Sequence, residues 1–541
     1  MKYTTEEICK KYDTADGIKQ TWLSKVKELF QYTMPDRDNF NKPAAGAESQ
    51  NYQDNREELF TSAGEQAVNE FVNKMQEVLC PIQQKWIELE AGYLFKENIR
   101  EAVNKELAKI TDIANEFKNV SNFDEAFSEF CYDVFAGTGC LLTMPGTQLG
   151  PLVFRAIPLK EYCIEESVNG DVEAVYRKFS MKAERIKYQW NIKEDKEFSG
   201  DDKDREVQIL ECTYKDLDKG TYVYLVLNYG EKKEILRQEY RTNPFTVLRW
   251  NKAAGELYGR GVGLTVLNDI KTLNMIKRYG LMALAYIFPP MLVKEDGLLS
   301  AKLDLTPMAM NYVGTAEDLS ALIQPLFNSG YKIDLEQYRT LELQQDIKRN
   351  TYGNTLPNEG SKNLTATEVN ARLNELRNNL GSVFGRLIRF QTDLVRRIID
   401  ILIITGILAE NESGQSFDIT KIDNLTYRIK INSPISRQLK LAEAQDIIGV
   451  VQIFSGMDPS GAMLSRIIKK DDALPYLAEL LGMPARFIYT KEETAQIDQQ
   501  QAMAAQAQQE AAVQADIGAA NAKALGKAGA NIMELAAERQ Q

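Results

Sequence analysis

Three sets of residues in this 541-residue chain have the types that chemistry draws on. The first is acidic. Asp471-Asp472 and Glu492-Glu493 are adjacent carboxylates of the kind that can hold a divalent cation, but neighbouring acids beside helix ends also serve as solvated caps, and that plainer reading is preferred. The second is glycine-rich. Gly259-Arg260-Gly261-Val262-Gly263 has Gly-x-Gly-x-Gly spacing, whereas a phosphate cradle needs Gly-x-x-x-x-Gly-Lys-Ser/Thr, or Gly-x-Gly-x-x-Gly after a strand. A tight lead-in to a helix is expected instead. The third is basic. Lys332, Lys348, Arg349 and Lys362 flank a helix and loop over 331–364, and Arg386, Arg389, Arg396 and Arg397 lie on the helix that follows. Such residues form solvated faces and ion pairs between copies, or they contact phosphates without reading sequence.

Much catalytic chemistry is excluded. The chain contains no histidine, which removes Ser-His-Asp and Cys-His catalysis and every histidine-containing metal site. No P-loop and no Gly-x-Ser-x-Gly elbow occurs. The six cysteines (Cys9, Cys80, Cys131, Cys140, Cys163 and Cys212) show no Cys-x-x-Cys spacing and read as reduced, buried, small apolar residues. The expectation is a non-enzyme with no metal site and no cofactor.

Composition sets the frame for these residues. At 541 residues the chain exceeds the roughly 250–300 residues at which one core stops growing, so several domains or one extended subunit are expected. Hydrophobic content of 44% and charged content of 26% are ordinary for a folded protein. A formal net charge of −12 argues against a general nucleic-acid binder, though not against a wall past which DNA slides. The N-terminus lacks an apolar signal region. The apolar runs Leu281–Phe288 and Ile398–Ile404 fall short of the ~20 residues that span a bilayer. No membrane anchor and a cytosolic origin are expected.

The elements that would position these residues follow from periodicity. Helices are predicted over 4–34, 57–79, 96–120 and 123–136, with a short strand at 86–89. Gly137, Gly139 and Gly146 punctuate a change of character; from Cys140 to Tyr240 the pattern is β-rich, and Lys193–Glu206 reads as an exposed hairpin or loop. An apolar helix runs from 264 to the Pro289-Pro290 pair, which ends it. A small mixed segment covers 291–330, and a helix covers 333–349. Residues 350–364 form a polar loop in which Gly353, Asn354 and Gly360 favour mobility and Pro357 fixes a bend. A long helix with a capping box at Thr365–Glu368 then carries Val369, Leu373, Leu376, Leu380, Val383, Leu387, Phe390 and Leu394 as a seam. Gly381 and Gly385 are candidate kink sites. A strand at Tyr427–Ile431, helices at about 436–456, 460–468 and 471–482, and an Ala/Gln-rich end from 495 complete the chain. The fold class is α+β, mainly helical.

This order resembles the portal, or head-to-tail connector, proteins of podovirus-type bacteriophages. Four stretches carry the resemblance. They are Leu29-Phe30-Gln31-Tyr32-Thr33-Met34-Pro35; Ala67 through Cys80-Pro81 with Trp86; Phe135-Ala136-Gly137-Thr138-Gly139-Cys140-Leu141-Leu142; and Leu257-Tyr258-Gly259-Arg260-Gly261. The resemblance implies an elongated subunit with a wing (1–257, helical and then β-rich over 140–250), a first stem helix (258–288), a clip (289–330) and a second stem helix (331–349). It further implies a channel or tunnel loop (350–364), a long wing helix with a short β segment (365–434), a crown (435–494) and a C-terminal helical barrel or tail (495–541).

The same resemblance implies a ring of twelve subunits at one capsid vertex of the virion, assembled in the host cytoplasm. Its partners would be a packaging ATPase (terminase), tail adaptor and nozzle proteins, capsid and internal core proteins, and double-stranded DNA passing without sequence specificity. Candidate channel-loop residues are Gly353, Asn354, Pro357, Gly360 and Lys362. Candidate DNA-facing residues are Lys332, Lys348 and Arg349. Candidate adaptor-docking residues in the clip are Leu298, Leu299, Leu319, Leu322, Ile323 and Phe327, which would equally serve as a small local core. The alternatives are a scaffold or filament built on the 369–404 seam, and a metal-dependent nucleic-acid enzyme.

Overall fold

A computed structural model describes residues 3–37, 56, 58–92, 97–147, 150–190, 205–286, 289–294, 302–313, 323–325, 333–353, 380–408 and 427–431, with isolated positions between 443 and 526. The chain divides into two units. One comprises Met1–Leu94 with Lys109–Ala442, and the other Phe95–Ala108 with Glu443–Gln541. In the second unit Tyr476 donates its hydroxyl to Glu443 at 2.6 Å. The candidate residues that fall within the description lie in the first unit.

Helix α1 (Thr5–Thr33) begins with a reciprocal capping box between Thr4 and Glu7, which satisfies two otherwise orphaned amides. Its apolar stripe has two targets. Ile8 and Tyr12 cover one face of an antiparallel sheet ordered β4-β5-β6-β7-β8, against Tyr176, Leu210, Cys212 and Leu225. These strands are Tyr162–Glu166, Val172–Lys182, Glu206–Lys215, Tyr222–Asn228 and Lys233–Tyr240. Because strand side chains alternate, Arg177, Glu211 and Tyr224 occupy the other face. There Arg177 bonds Glu161 at 2.9 Å and Glu211 at 3.0 Å, and Tyr224 donates to Glu211 at 2.5 Å.

A second core gathers around α4 (Phe123–Ala136), which packs on α2 (Ala63–Leu79) and on a three-stranded sheet ordered β3-β2-β9. Strands β2 (Thr138–Thr147), β3 (Gly150–Ile157) and β9 (Phe245–Arg249) form that sheet. Phe123, Phe127 and Phe130 stack in series along α4, and Phe130 meets Phe390 of α8 (Ser382–Ile404) at 4.8 Å. All six cysteines are free and buried, and burial raises the thiols of Cys80 and Cys163 to about 12.

The remaining elements are β1 (Ile87–Ala91), α3 (Glu97–Val120), α5 (Ala183–Gln189), α6 (Val262–Ala285), β10 (Met291–Lys294), β11 (Met310–Val313), β12 (Ile323–Pro325), α7 (Ile333–Asn350) and β13 (Tyr427–Ile431). Strand β1 pairs antiparallel with β13. Strand β10 runs parallel to β11 and antiparallel to β12.

Four readings of the sequence need correction. Helix α2 begins at Ala63 rather than 57, because Asn274 accepts the Phe60 amide at 2.7 Å and donates to the Glu58 carbonyl at 3.1 Å. Gly139 and Gly146 lie inside β2 rather than punctuating it; a Cβ on Gly139 would stand 2.7 Å from Phe130 and Val134. Helix α5 was not expected. The long helix does not run unbroken through its seam: it is interrupted at Gly381, one of the two expected kink sites, which has φ +48° immediately before α8. Its stretch over 365–379 lies outside the described residues, as do the 193–204 segment and most of the helices placed after 435.

Candidate functional site: the α6–α7 pair and the turn that follows

Helix α6 is positioned by a close crossing of two backbones. Gly137 has φ +138° at the end of α4, and a Cβ there would lie 2.2 Å from the Gly259 carbonyl. A Cβ on Gly261 would lie 2.1 Å from the Phe135 carbonyl. The approach is fixed by hydrogen bonds: Gly259 N–H donates to Thr138 Oγ1 at 2.8 Å, Gly261 N–H to the Ala136 carbonyl at 3.2 Å, and Trp250 N–H to the Gly137 carbonyl at 2.8 Å. The Gly259 and Gly261 amides are thus spent on the chain itself, as the lead-in reading requires. Tyr258 completes the lead-in, stacking on Trp22 at 4.8 Å and accepting the Ile164 amide at 3.3 Å.

From this crossing α6 runs out with its first half buried (Val262, Val266, Leu267, Ile270 and Leu273). Along its second half Met275, Tyr279, Leu281, Met282 and Leu284 are exposed. Helix α7 packs on α6, burying Thr340 and Ile347. At its end the chain makes a pinned turn. The Gly353 amide donates to the Lys348 carbonyl at 2.6 Å, and Lys74 of α2 donates to the carbonyls of Tyr352 and Gly353 at 2.5 and 3.1 Å. A buried ammonium at a helix C-terminus answers the partial negative charge there.

The candidate residues are distributed as follows. Lys348 and Arg349 occupy the exposed last turn of α7, with the Lys348 ammonium 4.0 Å from Glu70. Gly353 is packed rather than free: a Cβ would meet Glu70 Oε2 at 2.5 Å and the Lys348 carbonyl at 3.0 Å. Its glycine identity therefore answers to space and not to mobility. Ile323 lies in β12 opposite Val293. Lys332, Asn354, Pro357, Gly360, Lys362, Leu298, Leu299, Leu319, Leu322 and Phe327 lie outside the described residues, as do both carboxylate pairs. The structure thus brings together Lys348, Arg349 and Gly353, places Ile323 in a separate small sheet, and leaves the others undescribed.

The arginines of α8 divide in a way the sequence did not reveal. Arg389 pairs with Asp171 at 2.8 Å and Arg396 with Asp393 at 3.4 Å. Arg386 donates to the Trp250 carbonyl at 3.0 Å. Arg397 is fully buried, bonded to the Thr143 carbonyl at 3.1 Å and lying over the Tyr240 ring at 4.4 Å. It is a core arginine, neither a solvated charge nor a phosphate contact.

Two polar residues escaped the sequence reading altogether. Lys74 falls inside the apolar stripe of α2, between Phe71 and Met75, and a charge at such a position signals a dedicated partner. Asp133 is 8% exposed on α4 and lines a cavity of about 150 Å³ with Phe30, Arg37, Glu129, Leu159 and Lys160. Burial pushes its carboxyl up to about 7, against the opposing pull of Arg37 and the Leu159 amide.

Among the described residues no group of three or more metal-ligating side chains assembles, and no helix is long and apolar enough to cross a membrane. What the geometry defines is a mixed α+β subunit in which α6 and α7 pack as a pair. The chain matches the model of the bacteriophage head to tail connecting protein over residues 5–488, and it belongs to that family. It is accordingly a structural component of a phage-type virion.

No curated protein matches the chain. Among solved structures, a chain of the virion of a native gene transfer agent particle is 10% identical, with 78% of this chain and 92% of that chain covered and a TM-score of 0.36. Chains from the neck of the empty particle, computed with C6 symmetry, and of the native particle, computed with C12 symmetry, are each 10% identical. Each covers 79% of this chain and 92% of its own, with TM-scores of 0.35.

Proposed function

We propose that copies of this chain close into a ring, of twelve subunits, at one vertex of a phage-type capsid, and that double-stranded DNA passes through its centre during packaging and ejection. The observation that carries this reading is the family match over residues 5–488. Any motor is a separate protein, because the sequence holds no P-loop. The packaging ATPase docks during filling, and tail adaptor and nozzle proteins dock afterwards. Capsid and internal core proteins surround the ring, which assembles in the host cytoplasm.

The wing, stem, clip, channel loop and crown take the ranges given above, with α6 and α7 as the stem. Lys332, Lys348 and Arg349 make sparse phosphate contacts that add salt dependence without sequence preference. Gly353, Asn354, Pro357, Gly360 and Lys362 line the loop nearest the DNA. Leu298, Leu299, Leu319, Leu322, Ile323 and Phe327 receive the adaptor. The net charge of −12 supports a wall that repels the duplex over a screening length of ~8 Å.

Negative-stain microscopy of the purified full chain tests the reading. A ring with a central hole and rotational symmetry is expected; monomers, fibres or shells would overturn it.

A further inference from the structure

The α6–α7 pair has two outward faces that nothing in the chain covers among the described residues. On α6, Met275, Tyr279 and Met282 are 53%, 59% and 49% exposed, and their spacing of four and three places them on one side of the helix. Arg278 stands in the same stripe, exposed, with the Phe60 ring 5.8 Å from its guanidinium and no carboxylate partner among the described residues. The buried residues Leu273 and Gly280 lie on the opposite side of the helix.

On α7, Leu341, Glu342, Gln345 and Asp346 are exposed on the side opposite buried Thr340 and Ile347. Neither Glu342 nor Asp346 has an ion-pair partner among the described residues. Arg339 and Arg349 flank the two acids along the helix. One face is therefore apolar with a basic centre, and the other has a leucine beside two acids with basic residues at its margins. The faces match each other and not themselves. A two-fold contact of the α6 stripe would set Arg278 near its own copy and leave Glu342 and Asp346 unanswered.

Complementary but unlike faces generate head-to-tail assembly, which closes into a ring when the rotation fits. We infer that Met275, Arg278, Tyr279 and Met282 of one copy seat on α7 of the next copy, with Arg278 between Glu342 and Asp346 and the apolar stripe over Leu341. This contact rests on the ring reading and names the surfaces through which neighbouring copies of the helix pair would meet.

The test uses the full-length chain. Wild-type chains are expected to form rings in negative stain and mass photometry. Met275→Asp with Met282→Asp lowers the ring fraction about tenfold or more, since it places charge in an apolar contact. Arg278→Glu lowers it less, and adding Glu342→Lys with Asp346→Lys restores it. A Met275→Cys chain mixed with a Leu341→Cys chain and a short bis-maleimide gives covalent dimers that neither chain gives alone, a readout that does not depend on loss of assembly. Rings undiminished by the two aspartates, or an absence of cross-linked dimers in the mixture, would overturn the contact while leaving the ring reading intact. Wild-type chains that never form rings would overturn both.

Discussion

Arg177 in the five-stranded sheet and Arg278 on α6 are both arginines on regular elements, yet their surroundings differ in kind. Arg177 is 2% exposed and held by Glu161 and Glu211, the latter also bonded by Tyr224. Arg278 is exposed, has among the described residues a ring beneath it and no carboxylate, and shares its face with three large apolar side chains. The sheet region satisfies its charges within the chain. Among the described residues the helix pair leaves charge and apolar surface unmatched, the condition of a surface that belongs to an assembly. The helix pair is joined to the α4 core at the Gly137–Gly259–Gly261 crossing.

The sharpest way to break the comparison is to break that join. Gly261→Ala places a Cβ 2.1 Å from a backbone carbonyl; a loss of about 5 kcal/mol is expected in urea titration, at the far end of single-residue effects. Next comes Arg177→Ala, which strands two buried carboxylates and costs about 4 kcal/mol. Thermal melts should show it as a large fall in Tm, and a small effect would mean that the cluster is open to water.

Asp133→Asn tests a third point, at moderate size. The carboxyl titrates near 7 because it is buried. The folded state therefore keeps a proton that the unfolded chain has released between about pH 4 and pH 7. Stability falls as pH rises through that window and stays lower above it. The charged groups that face the site are Lys19, Asp36, Arg37, Glu129, Lys160 and Glu161. Asparagine cannot ionise, so the variant should be the more stable by about 2 kcal/mol at pH 8, with the gap narrowing towards pH 4. Equal pH profiles would show the cavity to be better solvated than its geometry implies. The smallest effect sharpens the comparison from the other side. Glu342→Gln should change the unfolding free energy of the dissociated chain by less than about 0.5 kcal/mol, whatever it does to assembly.

Helical and strand periodicity made much of the fold legible. The ends of α3, α4, α7 and β13 are close to where apolar spacing, Val120, Gly137 and the polar stretch after 350 put them. The start of α2 was not legible, because the claim of Asn274 on Glu58 and Phe60 spans more than 200 residues of sequence. The buried place of Arg397 was hidden for the same reason: its partners Thr143 and Tyr240 come from distant strands. At the candidate site the basic end of α7 was readable, whereas the clamp by Lys74 was not. Propensity places a lysine on a helix, but only tertiary packing decides which carbonyls it meets. Gly353 shows the limit of composition most plainly, since a glycine in a polar segment reads as loose until Glu70 and Lys348 are seen against it.

The β1–β13 pair carries a consequence for how the chain is made. Glu90 and Lys430, ion-paired across the two strands, are 340 residues apart in sequence. At ~5–20 residues per second of synthesis, β1 waits on the order of twenty to seventy seconds on the ribosome before its partner strand exists. Closing so long a loop is also among the slower steps of folding. Strand β1 therefore spends most of translation as an open edge, and the first unit cannot be completed until residues 427–431 have been made. A nascent chain interrupted before Tyr427 would carry α1, the five-stranded sheet and the helix pair, yet would expose an unpaired strand. That is the kind of intermediate that chaperones bind and that aggregates at high expression.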